Sequence, residues 1–260
     1  MRKARRNRRV LVISDTHCGH RVGLTPPKYT QRFDERFRNV QEELWGCFTR
    51  EVEKLKPIDV LIFNGDAVDG PGERSGGTEQ ITTDRNVQVE MAVECVEQIG
   101  AEQNIMTFGT AYHAGDKEDW EQIVADKVGA KIGAHDWPEV NGLVFDIKHH
   151  IGSSEVPHTR GTPIGREMSW NAEWAIRKQQ PLGQVLIRSH VHYYSVVVNG
   201  DRIGMTTPAL CGFGTKYGSR RKSGTIDMGF VYFDVAEGGS YTWKPVLFKP
   251  GFAVAHTTSL

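Results

Sequence analysis

Apolar and polar positions along this chain follow two periods, and the switches between them mark out its elements. Val10–Ser14 is an apolar run closed by a polar residue, the pattern of a buried strand. Phe33, Phe37, Val40, Leu44, Phe48, Val52 and Leu55 then recur at three- and four-residue spacing, one face of a long helix that Pro57 stops. Asp59–Phe63 reads as the next strand, and residues 70–78, rich in Gly, Pro and Ser, as a loop. A helix is predicted over Thr83 to Ile99 with Gly100 as its stop, followed by a strand at Asn104–Phe108. Trp120, Ile123, Val124 and Val128 have helical spacing that reads as packing and ends near Gly129. Leu143–Lys148 alternates like a strand, residues 152–163 form a second loop, and a helix near Ile164–Lys178 precedes the strand Val185–Ile187.

Beyond His192 the pattern becomes β-rich: Tyr194–Val198, Arg202–Thr206, Ile226–Val235 and Tyr241–Phe248, with Asn199-Gly200 as a hairpin turn. Alternating β and α followed by antiparallel β predicts an α/β fold in which two sheets are flanked by helices. No linker divides the chain. The expected organisation is a basic arm at 1–9, a single domain at 10–250 and a tail at 251–260.

Composition narrows this little. With 260 residues, 38% apolar, 25% charged and zero formal net charge, the chain is an ordinary globular sequence whose overall charge selects no partner. Local charge is more telling, because residues 2–9 carry six cations. The apolar run after them, Val10–Ile13, is too short for a secretory h-region, and no segment is apolar enough for a membrane span. A cytoplasmic protein is expected, with a solvated arm favoured over one that touches phosphate backbone. Cys18, Cys47, Cys95 and Cys211 are scattered without a CxxC pair, as reduced thiols would be.

Candidate chemistry sits at the strand ends. The first strand runs into Asp15-Thr16-His17, which alternation would aim at one ion. The second ends in Asn64-Gly65-Asp66-Ala67-Val68-Asp69, where glycine lets the backbone turn sharply. The third ends in Gly109-Thr110-Ala111-Tyr112-His113, the fourth in His149-His150, and the fifth in Ser189-His190-Val191-His192. Any one of these alone is ordinary turn chemistry. Five consecutive strands delivering Asp or His to the edge where open α/β sheets bind ligands point to a metal site.

The ordered set resembles the calcineurin-like metallophosphoesterase superfamily, whose blocks are Asp-x-His, Gly-Asp-x-x-Asp, Gly-Asn-His-(Asp/Glu), a lone His and Gly-His-x-His. The resemblance spans residues 15 to 192. Ser189 replaces the Gly of the last block, and Gly109-Thr110 with His113 replaces the third, a form similar to small stand-alone phage phosphoesterases. It implies a two-sheet αββα sandwich and two divalent ions, manganese first, with iron, zinc or nickel as alternatives. One ion would be held by Asp15, His17, Asp66 and His192. The other would be held by Asp66, His149 and His190, with Thr110 or His113 completing its shell and His150 an alternative to His149. Asp66 would bridge. Asn64 and Asp69 would orient ligands, and His113 would protonate the leaving group. The implied activity is phosphoester hydrolysis by a metal-bridging hydroxide attacking in line, in the cytoplasm of a host if the chain is phage-encoded.

A phosphodiester, nucleic acid in particular, is the favoured substrate, with phosphomonoesters and phosphoproteins as alternatives. A binding protein that kept the fold but lost turnover is the competing reading. His158, Arg160 and Arg166 lie after the fourth block and are candidates for phosphate oxygens, Arg160 and Arg166 foremost, with a solvated loop as the favoured alternative. Lys216, Arg220, Arg221 and Lys222 form a second basic loop. Trp170 and Trp174, four apart, read as core rather than a base-stacking platform.

Overall fold

The computed structural model describes residues 7–30, 35–115, 118–154, 156–212, 224–251 and 257–259. Its strands are β1 (Arg8–Ile13), β2 (Val60–Asn64), β3 (Gln103–Thr107), β4 (Lys131–Gly133), β5 (Glu139–Val140), β6 (Leu143–Ile147), β7 (Val185–Arg188), β8 (Ser195–Asn199), β9 (Arg202–Thr206), β10 (Gly229–Val235) and β11 (Tyr241–Leu247). Its α-helices are α1 (Glu35–Leu55), α2 (Arg85–Ile99), α3 (Ala111–Ala114), α4 (Trp120–Val128) and α5 (Thr162–Ile176). One sheet has the order β11-β10-β1-β2-β3-β4, and the other β5-β6-β7-β9-β8. β1 to β4 run parallel, as do β6, β7 and β9, so their carboxyl ends share one rim.

Alternation along the strands explains the layers. Val10, Val12, Val60 and Ile62 face the second sheet and meet Phe145, Ile147, Val185 and Ile187 there. Leu11, Ile13, Leu61 and Phe63 point the other way, onto Leu44, Phe48, Ala92, Val96 and Val124 of α1, α2 and α4. On the outer face of the second sheet, Ile164 and Met168 of α5 cover Leu186. Helices therefore sandwich two sheets in an αββα arrangement, within one domain. Strands covered on both faces read as continuous apolar runs, which is why the sequence showed them. Each fully buried Val, Leu, Ile or Phe here contributes roughly 1.5–3 kcal/mol.

Several boundaries differ from expectation for local reasons. β1 starts at Arg8, because Arg9 is held by Asp234 at 2.7 Å, by the Leu55 carbonyl at 2.6 Å and by Asp59, which accepts from its backbone N–H. α2 starts at Arg85, because Asp84 caps it by accepting from Asn86 N at 2.9 Å. In the β8–β9 hairpin Asn199 pairs with Arg202, so Gly200-Asp201 forms the turn. The two-residue β5, the three-residue β4 and the four-residue α3 were too short to show a period. Trp170 and Trp174 are not core: they are 55% and 40% exposed, because Ile164, Met168 and Asn171 occupy the buried face of α5. All four cysteines are free and buried. The loop cations at 216–222 lie outside the described residues. Among the described residues no helix is long and apolar enough to cross a membrane.

Candidate metal centre

Residues from five strand ends converge on the shared rim, though not through the strand alternation that Asp15-Thr16-His17 suggested. β1 ends at Ile13, and both Asp15 and His17 adopt left-handed backbone, with φ of 52° and 42°. This turns their amides across the gap, where Asp15 N donates to Gly65 O and His17 N to Asp66 O, each at 3.0 Å. Asp66, His190 and His192 are left-handed too, at 52°, 70° and 58°. Five of the seven non-glycine residues with positive φ among those described are thus proposed ligands. Such strain is held in place only by surrounding structure and clusters at functional sites.

Two glycines make room. Gly65 has φ of 79°, and a Cβ there would stand 2.6 Å from the His149 ring. A Cβ on Gly109 would stand 2.1 Å from Asp66 Oδ1. Both positions need glycine for close approach.

The side chains form three overlapping groups: Asp15, His17 and His192; Asp66, His149 and His190; and His17, Asp69 and His113. In the first, His192 Nε2 lies 3.2 Å from Asp15 Oδ1 and 3.3 Å from His17 Nε2. In the second, His149 Nε2 lies 3.0 Å from Asp66 Oδ2 and 3.9 Å from Asp15 Oδ1, which links the two groups. In the third, Asp69 Oδ1 faces His17 Nδ1 at 3.2 Å and His113 Nδ1 at 3.5 Å, and Asp69 Oδ2 accepts from Gln80 at 2.6 Å. His113 Nδ1 donates to the Asp69 carbonyl at 2.8 Å and packs edge-on against His17.

His149 is buried and its Nδ1 donates to the Asn64 carbonyl at 2.7 Å, which turns Nε2 toward Asp66. His150 is exposed, its ring against that of His190. The structure therefore brings His149 into the group and leaves His150 at its margin. Thr110 donates to Asp66 Oδ1 through both its backbone N–H (2.7 Å) and its hydroxyl (3.1 Å), orienting that carboxylate. Asn64 donates to Ser189 Oγ at 2.6 Å and accepts from Thr107. Ser189 also shares a 2.7 Å bond with Thr207, so its hydroxyl ties strand ends together. Arg160 stacks on Tyr193, the residue after His192, and bonds Thr225, whereas Arg166 is exposed. His158 lies on an exposed turn.

Burial opposes ionisation of Asp15 and Asp66, but the attraction of His192 for the first and His149 for the second outweighs it and holds both below the carboxylate range. Burial likewise opposes a charge on His149, yet Asp66 pushes its pKa up to about 10. Burial and the neighbouring His149 bring His190 down to about 4. Burial and His17 also lower His113.

Three buried atoms, Asp15 Oδ1, His17 Nδ1 and His149 Nε2, have no hydrogen-bond partner. Each faces an ion-pair neighbour at 3.0–3.2 Å without a directed hydrogen bond, and a cation between these side chains would give Asp15 Oδ1 and His149 Nε2 a directed partner. Carboxylate and imidazole donors without sulfur fit a divalent ion of the manganese, iron or zinc kind. The residues present fit the group.

Two contributors escaped sequence reading. Glu121 on α4 is fully buried and accepts from Ala67 N at 2.7 Å and Gly109 N at 2.5 Å, fixing the backbone beside Asp66 and Thr110. Burial and the charge of Asp66 raise it to about 7. Its signal was present: with Val124, Ala125 and Val128 it occupies the apolar face of its helix. The other is the buried Arg188, paired with Asp146 at 2.8 Å and with Glu167 at 3.1 Å, directly before Ser189.

No family model matches the chain, and no curated protein does. Solved structures offer distant likenesses. A novel archaeal phosphodiesterase is 16% identical, the match covering 92% of this chain and 99% of that one with a TM-score of 0.49. Vps29 from Entamoeba histolytica complexed with zinc is 12% identical over 93% and 99% of the two chains, with a TM-score of 0.44. A predicted phosphoesterase from Streptococcus pneumoniae is 9% identical over 94% and 100%, with a TM-score of 0.39. Likenesses of this size assign neither activity nor metal to this chain.

Proposed function

We propose that this chain is a metal-dependent hydrolase of phosphoester bonds, acting on diesters in preference to monoesters. The observation that carries the reading is the convergence of Asp15, His17, Asp66, His149, His190 and His192 on one rim, five of them on left-handed backbone. Asp66 is the proposed bridge between two ions, His149 and His190 hold one side, and Asp15, His17 and His192 the other. Bound there, the ions would polarise the phosphoryl oxygens and activate a water. The chain's own work is positional: Asn64 sets the tautomer of His149, Thr110 aims Asp66, and Asp69 holds His17 and His113. His113, the remaining imidazole of the cluster, is proposed to hand a proton to the departing oxygen.

Elemental analysis and hydrolysis of bis-p-nitrophenyl phosphate test this together. Exhaustive chelation should abolish turnover and manganese should restore it, whereas full activity in metal-free protein would end the proposal. Parallel assays on a nitrophenyl monoester and a phosphopeptide separate diesterase from phosphomonoesterase or phosphoprotein phosphatase. One observation favours a binding protein without turnover: Thr110, standing where the family places an amide ligand, spends both its donors on Asp66. Stoichiometric metal with no hydrolysis of any ester would support that reading.

A further inference from the structure

The outer face of α5 carries an unusual pattern for a surface helix. Arg166, Trp170 and Trp174 stand at four-residue spacing, and Arg177 and Lys178 follow directly after the helix ends at Ile176. Successive members of such a stripe lie about 6 Å apart along the axis, so Arg166 to Trp174 spans roughly 12 Å. A Trp normally buries much of its large surface, and two neighbouring ones left open mark an interaction surface. The two cations at its ends, Arg166 and Lys178, have no ion-pair partner among the described residues, and its one acid, Glu173, faces Arg177 at 3.9 Å. The surface suits a flexible polyanion carrying flat apolar groups.

Its placement says which one. The buried side of α5 packs Ile164 and Met168 against Ile151 and Val191, neighbours in sequence of His150, His190 and His192. Arg166 reaches over the same segment, since a Cβ on Gly152 would meet its Nη2 at 3.7 Å. The helix thus begins at the edge of the metal centre and runs away from it. We propose that the outer face of α5 is a binding track for single-stranded nucleic acid, with bases stacking on Trp170 and Trp174 and phosphates meeting Arg166, Arg177 and Lys178. Stacking tolerates any base, and the cations follow the backbone, so the track binds without sequence preference. The inference deepens the phosphoester reading, which it uses only to say where the strand leads.

The test measures binding apart from turnover. Fluorescein-labelled oligothymidylates of 4 and 15 nucleotides are titrated by anisotropy in chelator, where no hydrolysis is expected, with tryptophan fluorescence recorded alongside. The unaltered protein should bind the longer strand more tightly and show quenching. Trp170→Ala and Trp174→Ala should each weaken binding roughly 5- to 150-fold, the range for loss of one stacked base, and Trp174→Phe should recover part of it. Circular dichroism and a melting curve confirm that these variants fold. Unchanged affinity in the folded variants overturns the track. So does failure of the unaltered protein to bind the strand, or a preference of this face for anionic phospholipid vesicles over the strand. If the strand binds but no ester is hydrolysed with any metal, the track stands and the hydrolase reading falls. If the ester is cleaved but the strand does not bind, the reverse holds.

Discussion

Asp66 concentrates more of the proposed chemistry than any other residue, because its carboxylate meets His149, both donors of Thr110 and the approach of Gly109. Asp66→Asn should abolish hydrolysis and lower metal content while circular dichroism still reports a folded chain; near-normal turnover would remove the bridging role. His113 can be separated from the ligands by leaving-group chemistry. His113→Ala should slow an alkyl phosphodiester by roughly 10²–10⁴-fold and a nitrophenyl ester much less, with metal content intact. Equal losses on both esters with one metal missing would instead make it a ligand. Which residues form the centre was legible in the chain, since Asp and His recur after five successive strands. How they meet was not. The left-handed φ of Asp15 and His17 is set by amides bonding to the loop after β2, a partnership between segments fifty residues apart that no local pattern encodes. Glu121 was hidden for the opposite reason, because its helix reads as packing unless one asks why an acid stands on its apolar face.

At the scale of elements, β6 and β7 carry His149 and His190 and are locked from behind. Arg188 on β7 bonds Asp146 on β6 and Glu167 on α5, and Glu167 also holds Lys148, next to His149. His135 at 2.8 Å and Asn171 at 2.8 Å complete the shell around Asp146. Arg188→Ala should cost about 3–5 kcal/mol in urea unfolding, because it strands a buried carboxylate. Burial works against ionisation of Asp146, but His135 and Arg188 outweigh it and depress its pKa. A depressed acid stabilises the fold above its unfolded value and loses that contribution as pH falls through the folded value. The melting temperature should therefore drop as pH is lowered below about 4, and Asp146→Asn should flatten that acid limb while lowering stability at neutral pH. A pH-independent limb in both proteins would remove Asp146 from the account. Long elements were readable from period alone, as with α2 on the other sheet and its left-handed Gly100. The exposure of Trp170 and Trp174 was not, because spacing by four shows that two residues share a face but not whether that face turns inward.

For the molecule as a whole, ion binding and folding should be linked. Divalent metal that binds only the folded chain raises its stability by about 2.7 kcal/mol at a hundredfold excess over Kd, so manganese should raise the melting temperature and chelator lower it. No shift with any divalent ion would count against a metal centre. The basic arm can be tested by deleting residues 2–7, since Arg8 and Arg9 belong to β1 and Arg9 anchors Asp59 and Asp234. Loss of phosphate contacts should flatten the salt dependence of single-strand binding, and an unchanged slope would leave the arm a solvated terminus. The left-handed residues at the rim have a further consequence, for descent. Each side chain held at positive φ costs about 1 kcal/mol that glycine would not, so His192→Gly should fold more stably than His192→Ala. Among homologous chains, drift toward glycine at positions 15, 17, 66, 190 and 192 is then the mark of release from selection. Lineages that keep Asp and His there are maintaining, generation after generation, a backbone the fold itself would prefer to relax.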